Sequence, residues 1–95
     1  MNIKELHPGT KEVSTTSLFK TTEGTVTSIQ IAANSQLKEH ITRVPALLIC
    51  VTGDAIFENE KGIKQSLTTG DYIMIDPLVK HWVNAISLCN LILVR

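Results

Sequence analysis

Gly70-Asp71-Tyr72-Ile73-Met74-Ile75-Asp76-Pro77-Leu78-Val79-Lys80-His81-Trp82-Val83-Asn84-Ala85 packs a turn, a strand, a second turn and a histidine-bearing strand into one short stretch. Thr69-Gly70-Asp71 is a turn signal: Gly70 can take the positive φ of a tight reversal, and the Asp71 carboxylate can bond nearby backbone. Tyr72 to Ile75 is short, apolar and β-branched at two positions, so it reads as a strand. Asp76-Pro77 ends it, because proline has no N–H for a ladder. His81 opens the next strand, which continues through Trp82 to Ile86. Ser87-Leu88 then leads into a last apolar strand, Cys89 to Val94.

Working back from this stretch, the strands are short and close together, with turn residues between them. Val13 to Lys20 is the first strand, and Thr21 to Gly24 is its loop. Thr25 to Ala32 is the second, with Thr27, Ile29 and Ile31 on one face and Val26, Ser28 and Gln30 on the other. Ala33-Asn34-Ser35 turns the chain, Leu37 to Val44 is extended, and Ala46 to Thr52 is the most hydrophobic strand. Gly53-Asp54 turns again. Ala55 to Glu58 and Ile63 to Leu67 flank Asn59-Glu60-Lys61-Gly62, a hairpin loop in which Gly62 supplies the left-handed residue. Helical periodicity is confined to one turn near Ile3 to Leu6. Many short antiparallel strands with regular turns imply an all-β jelly roll or small barrel.

The chain has 95 residues, 43% of them hydrophobic and 19% charged, which fits one globular domain over residues 1–95 with no linker. Lys plus Arg and Asp plus Glu are nine each, so the formal charge is zero and no basic stripe exists to neutralise phosphates. Nucleic acid is therefore not an expected partner. Met1 to His7 mixes charge into every few residues without an apolar h-region, so no signal peptide is expected, and no stretch reads as a membrane span. Cys50 and Cys89 fall inside apolar strands and form no CxxC pair, which implies reduced core residues and a cytoplasmic location.

The stretch from Gly70 to Ala85 resembles the second motif of the cupin superfamily, in which a Gly-Asp turn, an apolar strand, a proline-containing turn and a histidine follow one another. Gly70 and Asp71 match the Gly-Asp, Ile75 the last apolar position, and His81 the metal-binding histidine. Asp76 stands where cupins usually carry proline, with Pro77 one place late. Leu78 stands at a second glycine position, and Ala85 at the trailing asparagine, with Asn84 one place early. In the first cupin motif a glycine precedes a His-x-His pair, a glutamate follows, and a glycine closes. Aligned on His40 and Gly53, Asn34 takes the leading glycine, Thr42 the second histidine and Ala46 the glutamate. The resemblance covers residues 25–94, leaves residues 1–12 as an N-terminal arm, and implies a cupin-type double-stranded β-helix, or jelly-roll barrel.

By that alignment two of the four usual metal ligands remain, His40 and His81. Catalytic metal sites usually have three protein ligands and an open position, so the resemblance implies an incomplete metal site, with no cofactor expected unless a divalent transition metal finds a third ligand. Gln36, Glu58, Glu60 and Asp76 are candidates for that role, and Cys50 is a soft donor on the Ala46 face. The leading expectation is a non-catalytic small-molecule-binding barrel whose pocket is lined by His40, Thr42, Ala46, Leu48, Cys50 and His81. Its alternatives are a metal-dependent cupin enzyme, an oxygenase or isomerase, and a dimeric structural or regulatory partner protein. Trp82 should point away from His81 along the strand. Arg43 and Lys80 read as solvated charges, and His7 as exposed or packed without consequence.

The strand Ala46 to Thr52 carries a separate signal. If Ala46, Leu48 and Cys50 face the interior, Leu47, Ile49 and Val51 face outward and are no less apolar. A strand buried on one side alternates with polar residues, so this one should be covered on both. The cover is either a second copy, giving a two-fold homodimer, or the segment Val13 to Phe19 folded over it.

Overall fold

The computed structural model describes residues 1–95. A 3₁₀ turn, Ile3–Leu6, precedes β1 (Val13–Lys20), β2 (Thr25–Ile31), β3 (Gln36–His40), β4 (Ala46–Thr52), β5 (Ala55–Asn59), β6 (Lys64–Leu67), β7 (Tyr72–Ile75), β8 (His81–Ala85) and β9 (Cys89–Val94). β1, β4, β7 and β9 have the bounds expected from turn chemistry and apolar patterning. β3 differs, stopping at His40 instead of Val44. Pro45 has no N–H to give, and the Thr42 carbonyl accepts from Leu78 N at 2.8 Å, so this segment bonds to a turn instead of a ladder.

The strands form two antiparallel sheets, in the orders β1-β2-β9-β4-β7 and β3-β8-β5-β6. From β2 onward the pairs nest, β2 with β9, β3 with β8, β4 with β7 and β5 with β6. Nested pairing of this kind is the topology of a jelly roll, and every connection from β2 onward except the β5–β6 hairpin crosses between sheets. At the hairpin, Gly62 has φ 88° and Asn59 Oδ1 accepts from Lys61 N and Ile63 N, so the left-handed residue sits where the sequence calls for it. At the β6–β7 turn Gly70 has φ 90°, and Asp71 Oδ2 accepts from Thr68 N at 2.8 Å.

Between the sheets lies one core, built from alternate residues of both, with Phe57, Ile31, Leu48, Leu67, Leu91 and Val83 among its largest fully buried members. On β4, Ala46, Leu48 and Cys50 are buried while Leu47, Ile49 and Val51 are half-buried, the division expected of the two faces. Residues Val13–Phe19 do not cover that outer side. They lie in the plane of the sheet as its edge strand, separated from β4 by β2 and β9, because β1 finds its backbone partners along β2.

His7 is not exposed, contrary to its sequence context. It is 7% exposed, with Nδ1 2.8 Å from Ser14 Oγ and Nε2 2.8 Å from Ser28 Oγ, and it fastens the N-terminal arm to β1 and β2. The signal for this lies in Ser14 and Ser28, polar residues on the outward phase of their strands, but only the register that pairs β1 with β2 brings them together.

Candidate functional site: a paired imidazole at the barrel end

His40 ends β3 and His81 begins β8, and the two are direct cross-strand partners. Their rings meet edge to face with centroids 4.1 Å apart, and the two Nε2 atoms lie 3.0 Å from each other. Each Nδ1 is anchored to a carbonyl two residues earlier in the chain, His40 to Lys38 O at 2.9 Å and His81 to Val79 O at 3.2 Å. A carbonyl only accepts, so an Nδ1 that bonds one carries a proton, and the 3.0 Å contact between the Nε2 atoms needs a proton on one of those two as well. A neutral pair can bond Nε2 to Nε2 only by giving up one carbonyl, and the longer bond, to Val79, is the weaker.

Phe57 stacks beneath His81, with centroids 5.7 Å apart and planes 24° from parallel. His81 is 2% exposed, and burial pushes its imidazole below the ordinary value. The bond to Val79 opposes that shift and the neighbouring His40 adds to it. Phe57 was not singled out by the sequence. Its alternation with Ala55 marks an inward residue, but its contact with His81 depends on the pairing of β5 with β8.

Thr42 lies two residues beyond His40 in the β3–β4 connection and is 1% exposed. Its Oγ1 is the one buried side-chain oxygen or nitrogen without a hydrogen-bond partner. Leaving such a hydroxyl buried and unpaired costs about 1–3 kcal/mol. Ala46 and Leu48 are buried in the core, and Cys50 is fully buried with its Sγ donating to Gly53 O at 3.5 Å and Thr52 O at 3.7 Å. That thiol is engaged at the Gly53 turn, and no hydrogen bond joins it to either imidazole. There it neighbours Cys89, whose own thiol burial pushes up to about 11, with smaller contributions from Cys50 and Asp54. Both cysteines are free.

The structure thus brings His40 and His81 into contact, places Thr42 two residues beyond His40 with an unspent hydroxyl, and commits Leu48 and Cys50 to packing. Two clefts open on the surface, one of about 410 Å³ between Lys11–Val13 and Gln36–Lys38 and one of about 240 Å³ beside Ile3, Leu6 and Leu18. Neither is lined by any of the six residues expected to form the pocket. The barrel end is closed by two connections joined through Leu78 N and Thr42 O, with Ile41, Val44 and Leu78 exposed around it.

Two imidazole nitrogens converge, but no group of three or more His, Cys, Asp and Glu side chains is placed to hold an ion. Three of the four candidate third ligands are engaged elsewhere, and the fourth, Asp76, is exposed and belongs to no such group. Glu58 Oε2 accepts from Trp82 Nε1 and Asn84 Nδ2, Gln36 donates to Asn84 Oδ1, and Glu60 Oε2 accepts from Lys80 N. The residues present do not fit a three-ligand catalytic metal centre.

No family model matches the chain, and no curated protein matches it in sequence. Solved structures do match. A cupin superfamily protein from Desulfitobacterium hafniense DCB-2 superposes with a TM-score of 0.85 at 13% identity, over 97% of this chain and 84% of that one. An uncharacterized conserved protein with a double-stranded β-helix domain from Klebsiella pneumoniae gives 0.85 at 16%, over 99% and 85%. An RmlC-like cupin from Shewanella frigidimarina gives 0.80 at 20%, over 87% and 74%. Likeness at such low identity carries the fold and not an activity, and with the nested sheets above it establishes that the chain folds as a small cupin-type domain, a double-stranded β-helix.

Proposed function

We propose that this cupin-type domain is a non-catalytic binding barrel for a small neutral or anionic molecule that carries a hydroxyl or similar hydrogen-bonding group. The observation that carries this reading is Thr42 Oγ1, a buried hydroxyl without a partner, two residues beyond His40, whose Nε2 lies 3.0 Å from that of His81. A ligand hydroxyl that displaces the contact between the imidazoles donates its one proton to one Nε2, and Thr42 Oγ1 can accept from or donate to the same molecule. Entry requires the Leu78–Thr42 bond to open. Leu78 supports such a motion: it is 67% exposed and holds φ 62°, a strained conformation for leucine that costs roughly 1–2 kcal/mol.

The test is a thermal-shift screen of small carboxylates, sugars and aromatics, in which a ligand bound only to the native state raises Tm with its concentration. Thr42→Val should raise the stability of the free protein by about 1 kcal/mol, by removing the unpaired hydroxyl, and should abolish the ligand's shift. A lower stability for that variant, with the shift retained, would place the binding site elsewhere.

The converging Nε2 atoms also favour a second reading, a cupin metal enzyme with a ligand not identified among these side chains. Elemental analysis separates the two. A transition metal at full occupancy, retained through dialysis and lost in His81→Ala, would overturn the non-catalytic reading.

We propose further that the domain is a homodimer through the outer face of its five-stranded sheet, and that it works in the cytoplasm, where the free Cys50 and Cys89 would stay reduced. No helix of the chain is long and apolar enough to cross a membrane. On that sheet, beyond the part of β2 that the N-terminal arm covers at Ser28, register aligns Val94, Leu47 and Met74 in one row and Ile92, Ile49 and Tyr72 in the next, and none of these six side chains carries a charge to desolvate against a second copy.

A further inference from the structure

We propose that His7 is a proton-operated latch, which holds the N-terminal arm on the outer face of the five-stranded sheet and releases it in mildly acidic solution. The geometry is specific. Ser28 is fully buried, and its hydroxyl proton has no acceptor among the side chains except His7 Nε2; the tautomer that leaves no buried proton unpaired is therefore the one in which that hydroxyl donates to the imidazole. His7 Nδ1 then carries the ring proton and donates to Ser14 Oγ, which is half-buried. The neutral ring therefore has both nitrogens satisfied by hydroxyls from two different strands.

Protonation breaks this arrangement at one atom. Nε2 gains a hydrogen and can no longer accept, so the Ser28 hydroxyl must turn, and its own proton is left buried without an acceptor. The new positive charge is also out of water with no anion beside it. β2 has no titratable side chain, β1 has only Lys20 at its far end, and on β9 the single titratable group, Cys89, lies in the core. The remaining charged groups nearby in the chain are the Met1 α-amino group, Lys4 and Glu5 on the 3₁₀ turn, and Lys11 and Glu12 before β1, and none of them pairs with the ring. In agreement with this, burial pushes the His7 imidazole below its ordinary value.

The direction of the pH effect follows. The released arm binds a proton with the ordinary affinity, near pH 6.5, and the latched arm binds it more weakly. The latch is therefore fully effective above about pH 6.5 and weakens as pH falls below it, by up to tenfold in the opening equilibrium per pH unit, until the latched ring itself protonates. Release uncovers Ser14 and Ser28 and frees Ile3 and Leu6 from the cleft they share with Leu18.

Amide hydrogen exchange of residues 3–7, corrected for intrinsic rates and followed from about pH 8 to about pH 5, tests the latch directly. Their protection should fall as the pH drops, while strands β2, β4 and β9 keep theirs. His7→Ala should leave the arm unprotected at every pH. His7→Gln, which can donate and accept but does not titrate, should remove the pH dependence that the wild type shows. An NMR titration of His7 should give a midpoint below the ordinary imidazole value, in step with the loss of arm protection. A midpoint at or above that value, flat protection across the range, or the same pH dependence in His7→Gln would each overturn the proposal.

Discussion

The outer faces of the two sheets solve opposite problems with the same strand geometry. On the four-stranded sheet the outward residues form a hydrogen-bonded chain. Gln36 donates to Asn84, Asn84 and Trp82 both donate to Glu58, and Lys64 lies opposite Glu58 on the next strand. On the five-stranded sheet the corresponding positions of β4, β7 and β9 are Leu47, Ile49, Met74, Tyr72, Ile92 and Val94. Tyr72 is 63% and Met74 74% exposed, so the sheet edge presents its largest side chains to solvent. A face that satisfies itself with side-chain bonds is complete in one chain. A face of this apolarity gains only from contact with another surface, and contiguous patches of this kind on monomers are uncommon.

The contrast is broken most severely by putting a charge at the centre of the apolar face. Ile49→Lys would bury an unpaired ammonium from each copy in a two-fold interface, so the dimer dissociation constant should rise roughly a hundredfold or more, at several kcal/mol per uncompensated charge. Ile49 points away from the core, so the variant should keep a folded barrel. Sedimentation equilibrium is the measurement. A wild-type protein that stays monomeric at high concentration would remove the dimer and leave the apolar face to some other partner.

The converse change makes the polar face apolar. Glu58→Leu removes the carboxylate that accepts from both Trp82 and Asn84, leaving two half-buried donors to find water. The cost should be about 1 kcal/mol, a fall of roughly 4–8 °C in Tm for a domain of this size, with no change in association of the barrel. If the variant is as stable as the wild type, the hydrogen-bonded chain contributes nothing and the difference between the faces is one of solubility alone.

How much of this could be read from the sequence depends on whether the signal was local. β4 announced its two apolar faces through unbroken Leu, Ile and Val, and the Gly70-Asp71 and Asn59-to-Gly62 turns carried their own conformational chemistry. The jelly-roll order came from resemblance to a family motif, since nested pairs such as β2 with β9 join residues about sixty positions apart and no local pattern records them. The contact between His40 and His81 was legible for the same reason. The closed barrel end, Phe57 beneath His81 and His7 between two serines were not, because each is fixed by side-chain volume and strand register together.

The smallest effect belongs to the turns that carry the chain from one sheet to the other. Asn34, between β2 and β3, has φ 63°, and Leu78, between β7 and β8, has φ 62°; they are the two non-glycine residues with positive φ. Both align with glycine positions in the motif resemblance, and both hold the left-handed conformation that glycine adopts without strain. Asparagine tolerates that region and leucine does not, which makes Leu78 the strained one. Leu78→Gly should relieve about 1–2 kcal/mol of strain and lose about 0.5–1 kcal/mol to the greater freedom of glycine in the unfolded chain. The net gain is about 0.5 kcal/mol, or roughly 2–4 °C in Tm. Leu78→Ala separates strain from the loss of an exposed apolar side chain, because alanine removes the side chain but keeps the strained φ. The glycine variant should melt above the alanine variant, and Asn34→Gly should move Tm less than either. If glycine and alanine at position 78 melt together, the turn stores no strain, and Leu78 loses its place in the proposed opening of the barrel end.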